Sequence, residues 1–299
     1  MEHLLSITDL RAEEIRSLIE KAIELKRADS RPLLNGKSVA MLFEKPSLRT
    51  RVSFDIAMQQ LGGHALYLSP AEVGLGQREP AADVARVLSR YVDAIVARTF
   101  GHETVEALAR WSTVPVINAL SDREHPCQIL ADLLTMQEKK GTIEGLVVTY
   151  IGDANNVANS LLLACCIVGV DFRCASPKGY QFADDILALA RRNDCQLMST
   201  EEPEKAVLGA DVVYTDVWTS MGQEAKADRR RHTFAGYQIT PDLLSLAKPD
   251  AIFMHPLPAH HGEEVAEGVL DAPQSVVFDQ AENRLHMQKA LLATLLGVP

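Results

Sequence analysis

Residues 37–61 constrain this chain more than any other stretch. An apolar run at 39–43 leads through Glu44, Lys45 and Pro46 into Ser47-Leu48-Arg49-Thr50-Arg51. Beyond it Phe54, Ala57, Met58 and Leu61 recur at i, i+3, i+4 and i+7, one face of a helix, and Gly62-Gly63 supply a stop. The stretch predicts strand, tight turn and helix, with Ser47 near the N-cap and Arg49, Thr50 and Arg51 in the first turn. Helix N-termini carry partial positive charge and free N–H groups, so arginines there are unfavourable unless an anion covers them. Two readings follow: a phosphate cradle of amides, hydroxyls and guanidinium groups, or two solvated arginines on an ordinary helix.

The same alternation runs through the chain. Ile15, Leu18, Ile19, Ala22 and Ile23 mark an amphipathic opening helix. Short apolar strands are expected at 65–68, 94–97 and 114–119, with helices at 80–91 and 104–111 and a loop at 69–80. A long helix is expected from Asp122, with His125-Pro126-Cys127-Gln128 in its first turn and Lys139-Lys140-Gly141 at its end. A hinge at 142–145 opens a second α/β unit. Its strands are expected at 146–151, 212–215, 251–254 and 275–278, the last opening a terminal helix. Strands alternating with helices predict parallel sheets covered on both faces, with ligands at the carboxyl ends of the strands. Arg98 and the Ser47 turn fall at two such ends. His125 and Gln128, three apart, share one side of a helix N-terminus.

Composition removes several classes of function. A length of 299 residues allows two domains, each with its own core. A net charge of −10 argues against nucleic acid or anionic membrane as partner. Five cysteines without a CxxC pair predict buried free thiols in a reducing compartment. With no basic, apolar leader and no run near the length of a membrane span, the expected location is the cytoplasm. Gly152-Asp153-Ala154-Asn155-Asn156 stands where a dinucleotide fold needs GxGxxG, which argues against a nicotinamide cofactor. His255, His260, His261 and His286, with Glu263 and Glu264, match no metal-ligand spacing, so no metal is expected. A serine hydrolase lacks its GxSxG elbow.

Taken together, Ser47-Leu48-Arg49-Thr50-Arg51, His125-Pro126-Cys127-Gln128, Asp216-Val217-Trp218-Thr219-Ser220-Met221-Gly222 and His255-Pro256-Leu257-Pro258 resemble the aspartate/ornithine carbamoyltransferase family. The resemblance runs over essentially the whole chain. The Ser-Met-Gly loop and Glu282-Asn283-Arg284-Leu285-His286 are similar to the ornithine branch. It implies an α/β fold of two similar-sized domains, each a parallel sheet flanked by helices, with interdomain helices. Residues 1–141 would bind carbamoyl phosphate, with the C-terminal helix 283–299 packing back on them, and residues 142–282 would bind ornithine. The implied reaction carries the carbamoyl group to the δ-amine of L-ornithine, giving L-citrulline and phosphate, without metal, cofactor or covalent intermediate.

The resemblance also implies roles. Ser47, Leu48, Arg49, Thr50 and Arg98 would hold the phosphate of a ligand lying between the domains. Thr50, Arg98 and His125 would polarise the carbonyl, Gln128 would fix the amide, Pro256 and Leu257 would offer carbonyls to the carbamoyl nitrogen, and Arg284 would join from the last helix. Asn156, Asp216, Ser220 and Met221 would bind the amino-acid end of ornithine. Arg98, His125, Asp216 and Arg49 would carry the chemistry. The family's enzymes are trimers, so a homotrimer or an assembly of trimers is expected, with the 69–80 loop reaching a neighbour's site. The chain departs from the ornithine branch at Pro256, where cysteine is usual, at Leu48, where threonine is usual, and at Gly74 and His261. Pro256 leaves open a different amine (aspartate, putrescine or an N-acylornithine) or a weakly catalytic protein that binds carbamoyl phosphate. Whether the pathway runs toward or away from arginine stays open.

Overall fold

The structure is a computed structural model and describes residues 1–27, 32–75, 78–193, 195–219, 225 and 227–297. It divides into two compact units, Met1–Leu134 with Glu282–Pro299, and Thr135–Ala281. Among the described residues no helix is long and apolar enough to cross a membrane.

In the first unit, strands β1 (Ser38–Phe43), β2 (His64–Leu68), β3 (Ala94–Arg98) and β4 (Val116–Leu120) form a parallel sheet in the order β2-β1-β3-β4. β3 is buried along its whole length and β1 in all but its first residue, the pattern of strands covered on both faces. Helices α1 (Ala12–Arg27), α2 (Leu48–Gln60), α4 (Ala81–Leu88) and α5 (His102–Trp111) accompany it. One core gathers Leu42, Ile95, Ala97 and Val116 from the sheet with Val84, Ala85, Val105 and Leu108 from α4 and α5. α2 stops as expected. Gly62 takes a left-handed φ of 79°, and the N–H of Gly63 returns to the carbonyl of Met58. The 69–80 stretch, expected as plain loop, holds a short helix, α3 (Pro70–Val73), because Ser69 and Glu72 form a reciprocal capping box.

α6 (Pro126–Lys140) starts later than the expected Asp122. Ser121 takes the N–H of Glu124 on its hydroxyl and gives its own N–H to the Glu124 carbonyl, which turns the chain. Pro126 then suits the first helical position, and the residue before a proline avoids helical backbone. His125 therefore lies just outside the helix, its carbonyl taking the N–H groups of Gln128 and Ile129.

In the second unit, β5 (Val147–Ile151), β6 (Asp171–Ala175), β7 (Leu197–Thr200), β8 (Val212–Thr215) and β9 (Ile252–Met254) form a parallel sheet in the order β7-β6-β5-β8-β9. Helices α7 (Asn156–Val168), α8 (Asp184–Ala190), α9 (Pro203–Val207), α10 (Ala227–Phe234) and α11 (Pro241–Leu244) connect them. The expected strand at 275–278 reduces to one bridge, Ser275 to Phe253, and α12 (Val277–Leu295) begins inside it. A four-residue apolar run reads equally as strand or helix, and burial decides. α12 ends in the first unit, where Lys289 Nζ donates to the Leu25 carbonyl and Lys26 Nζ to Asn283.

The cysteine expectation is corrected. Cys166 and Cys195 form a disulfide, and Cys127, Cys165 and Cys174 are buried thiols. The pair lies 29 residues apart in sequence but 4.9 Å apart at Cα, within bridging range, through a proximity that no local spacing encodes.

Candidate active site

Each sheet reverses its strand order at one point of its own, and each unit brings expected residues to the strand ends around it. In the first unit the switch lies between β1 and β3, whose carboxyl ends deliver the Ser47 turn and Arg98. Ser47 is the N-cap of α2, its hydroxyl accepting the N–H of Thr50 and donating to Thr50 Oγ1 at 3.0 Å. Thr50 Oγ1 also accepts from Arg284 NH2 at 2.6 Å, while Arg284 NH1 donates to Gln128 Oε1 at 3.0 Å. Gln128 is oriented in turn by Asp132. Ser47, Thr50, Gln128 and Arg284 thus form one chain of hydrogen bonds. A register shift between Ala97 and Arg98 in the β3–β4 pairing re-aims the last residue of β3. Arg98 ends buried, its Nε without a hydrogen-bond partner among the described residues.

The electrostatics point to an anion. Burial, with Arg284 and Arg49 adding like charge, pushes the Arg98 guanidinium down to about 10. Burial lowers Arg49, and burial with Arg98 beside it lowers Lys45. Burial, Arg284 and Arg98 hold His125 well below the ordinary histidine range, so its imidazole is neutral at pH 7. Arg51, grouped with Arg49 by sequence, lies elsewhere, its guanidinium 4.1 Å above the Tyr67 ring. Residues two apart on a helix do not share a face.

The second unit repeats the geometry with opposite charge. Its switch lies between β5 and β8. Gly152 leaves β5 with a φ of 137°, open to glycine and not to other residues, and sends the chain into Asp153 and Asn155. Asn155 caps α7, its Oδ1 taking the N–H groups of Val157 and Ala158, and its Nδ2 donates to Asp216 Oδ2 at 2.7 Å. Asp216 follows β8 and is buried. Burial raises its affinity for protons above that of an ordinary carboxyl, against lowering by His255 and Asn155. Burial also raises Asp153, which pairs with the buried Arg230. Arg230 donates as well to the Trp218 carbonyl and lies 4.8 Å above the Tyr180 ring.

His255, after β9, accepts the Leu257 N–H on Nδ1 and has Nε2 3.3 Å from Glu264. Gln280 accepts the His255 N–H and donates to Tyr214. Pro256 and Leu257 follow in the same loop, and Asn156 is the first residue of α7. Ser220 and Met221 lie outside the described residues.

Sequence reasoning thus placed Ser47, Arg49, Thr50, Arg98, His125, Gln128 and Arg284 in one unit and Asn156, Asp216, Pro256 and Leu257 in the other, which is how the units divide them. It read Asn155 with Asn156 as donors and acceptors for a small polar ligand, weighed Glu264 only as a metal ligand, and passed over Lys45 and Arg230. Lys45 was within reach as a neighbour of the Ser47 turn. Arg230 carries no local signal.

The comparisons with known proteins follow the same division. Residues 2–138 match the aspartate/ornithine carbamoyltransferase carbamoyl-P binding domain and residues 144–295 the Asp/Orn binding domain of that family. The anabolic ornithine carbamoyltransferase of Pyrococcus furiosus is 54% identical over 98% of this chain and 96% of its own. A solved ornithine carbamoyltransferase structure from that organism superposes with a TM-score of 0.95, covering 99% of this chain and 97% of the other at 53% identity. The ornithine carbamoyltransferase of Thermus thermophilus gives a TM-score of 0.92 at 49% identity, covering 99% of both chains.

Proposed function

The chain belongs to the aspartate/ornithine carbamoyltransferase family, and from that premise we propose how its residues move the carbamoyl group of carbamoyl phosphate to the δ-amine of L-ornithine, giving L-citrulline and phosphate. One observation carries the assignment of roles: Arg49 and Arg284 both press like charge on Arg98 near the N-terminus of α2, and Arg98 and Arg284 in turn lie beside a neutral histidine. Mutually repelling cations at a partly buried site match a dianionic phosphate.

Carbamoyl phosphate is held by the Ser47, Leu48, Arg49 and Thr50 turn and by Arg98. The carbonyl oxygen faces Thr50, Arg98 and the neutral His125, which donates a hydrogen bond without adding charge. Gln128, fixed by Asp132 and Arg284, orients the amide. The δ-nitrogen attacks the carbamoyl carbon, a C–N bond forms, and an oxyanion develops against donors already in place. The C–O bond to phosphate then breaks, and the electron pair leaves with phosphate. An alkyl amine has a pKa near about 10, so the reaction must shed a proton. Asp216, a buried carboxylate with raised proton affinity, serves as the anion that receives an ammonium of ornithine and as the group able to take its proton. Asn155 orients Asp216, and Asn156 stands beside it in sequence.

A homotrimer is proposed as the working assembly. Leu48 and Val52, one turn apart on α2, are 76% and 48% exposed, and Leu66 on the edge strand β2 is 46% exposed, an apolar surface that association would cover. Light scattering on the eluting protein reads the trimer mass directly. The anabolic label of the P. furiosus relative supports a place in arginine biosynthesis.

The deciding experiment is citrulline formation from carbamoyl phosphate and L-ornithine, with aspartate, putrescine and N-acetylornithine as competing amines. Turnover confined to ornithine is expected. Turnover with another amine alone, or with none, overturns the assignment.

A further inference from the structure

The histidines and glutamates near 260 match no metal spacing in sequence, yet the fold groups three of them in the turn after the His255-Pro256-Leu257-Pro258 loop. His260 Nδ1 lies 4.0 Å from Glu263 Oε2 and 3.9 Å from Glu264 Oε2, and the donor atoms all fall within 4.8 Å of one another. Each carboxylate has its other oxygen already engaged. Glu263 Oε1 accepts from Arg231 Nε at 2.8 Å, and Glu264 Oε1 accepts the His260 N–H at 2.5 Å. These bonds aim the two remaining oxygens at one imidazole nitrogen, as outer partners do around metal ligands. Arg231 shares its charge with Asp228, so it does not cancel Glu263 alone.

Glu264 supplies the independent observation. Its side chain is fully buried, yet Oε2 has no hydrogen-bond partner among the described residues. Burial opposes its charge, but contacts with His255 and the His260 N–H outweigh burial and keep the carboxyl below its ordinary value. A buried anionic oxygen left unmatched is costly, and it faces the cluster. His260, half exposed, leaves a way in from solvent.

We propose that His260 Nδ1, Glu263 Oε2 and Glu264 Oε2 bind one divalent first-row transition ion, with zinc as the best match. The imidazole is a borderline donor and the two carboxylates are hard ones, a nitrogen–oxygen set that zinc takes, and water completes a tetrahedral set. Bonds of about 2.0–2.1 Å put tetrahedral donors about 3.3–3.4 Å apart, so from separations within 4.8 Å the His260 and Glu263 side chains need to move inward by up to about 1.5 Å. The ion has no part in carbamoyl transfer, and the proposal stands apart from that reading.

The test uses the full chain, stripped with chelator and titrated with Zn²⁺ against a chromophoric competitor. One ion per chain is expected, with His260→Ala and Glu263→Gln each weakening binding about tenfold or more. Co²⁺ should give the visible bands of a four-coordinate nitrogen–oxygen site, and His260→Ala should lose them. His260 is half exposed and Glu263 partly buried, neither has a role in carbamoyl transfer, and both substitutions leave metal-free citrulline formation unchanged. Absence of stoichiometric binding overturns the proposal. So does wild-type affinity in either variant, which would place the ion elsewhere, or a Co²⁺ spectrum dominated by thiolate bands.

Discussion

The two units place strand ends, helix N-termini and a sheet switch point in the same arrangement and fill them with opposite charge. At β1 and β3 the first unit gathers Lys45, Arg49, Arg98 and Arg284, where burial, with Arg284 and Arg49 adding like charge, lowers Arg98 to about 10. At β5, β8 and β9 the second gathers Asp153, Asp216 and Glu264, countered by Arg230 and His255. A parallel sheet supplies geometry without choosing a ligand. The side chains in its first few loop residues set the sign, and the sign here is that of an anion site in one unit and a cation site in the other. Unlike charges in one place would neutralise each other and leave little to bind with. Like charges held together at the expense of stability mark where a counter-charge is to arrive.

The largest way to break this comparison is Arg98→Met. It should cut kcat/KM for carbamoyl phosphate by about 10³-fold, the scale of a lost transition-state donor. The protein should melt no lower than wild type, because the substitution relieves repulsion with Arg49 and Arg284. Kinetics and a thermal melt together test both halves, and a turnover loss under tenfold would remove Arg98 from the donor's seat.

Asp216→Asn is the counterpart in the second unit. It should lower kcat/KM for ornithine by about 10²-fold while leaving protection of the protein by carbamoyl phosphate unchanged in the same melt. Loss of that protection would mean that Asp216 does not belong to ornithine alone.

The pH dependence of stability sharpens the contrast, since the units should respond with opposite sign. His125 binds its proton more weakly folded than unfolded, so stability falls as pH drops below about 6.5, where the unfolded histidine charges. Asp216 and Asp153 bind protons more tightly folded. Their contribution therefore rises as pH falls through their raised values toward 3.8. Urea midpoints between pH 7.5 and about 4 should flatten in His125→Gln and steepen in Asp216→Asn. The reverse order would show the burial argument to be wrong.

The smallest effect belongs to Pro256→Cys. If residue 256 serves through its backbone carbonyl, which proline keeps, turnover with ornithine should change by less than about threefold. A rise beyond about tenfold in the steady-state rate would show that a thiol here is catalytic.

Residues 37–61 show how much was open to reading in sequence. The strand, the Ser47 cap, the α2 core face and the glycine stop were all legible, because each depends on neighbours within a turn or two. The sheet was legible as a class from alternation, though β6 and β7 were not. Asp171 and Arg173 interrupt the first of these apolar runs, and the second is four residues at an edge. The helix start at Pro126 and the helix replacing the strand near 277 were misread, since capping by Ser121 and burial of Val277 depend on partners distant in sequence.

By itself, then, the sequence determined the α/β class, the strand-turn-helix at residues 37–61 and the family motifs from which the binding roles are proposed, because period, cap chemistry and charge are written locally. Tertiary structure alone decided that Arg284 reaches Thr50 across 234 residues, that Arg230 neutralises Asp153, that Cys166 meets Cys195, and that Glu264 is buried beside His255 and His260. Charge at a site depends on distances that only packing sets, and burial changes what a charge is worth.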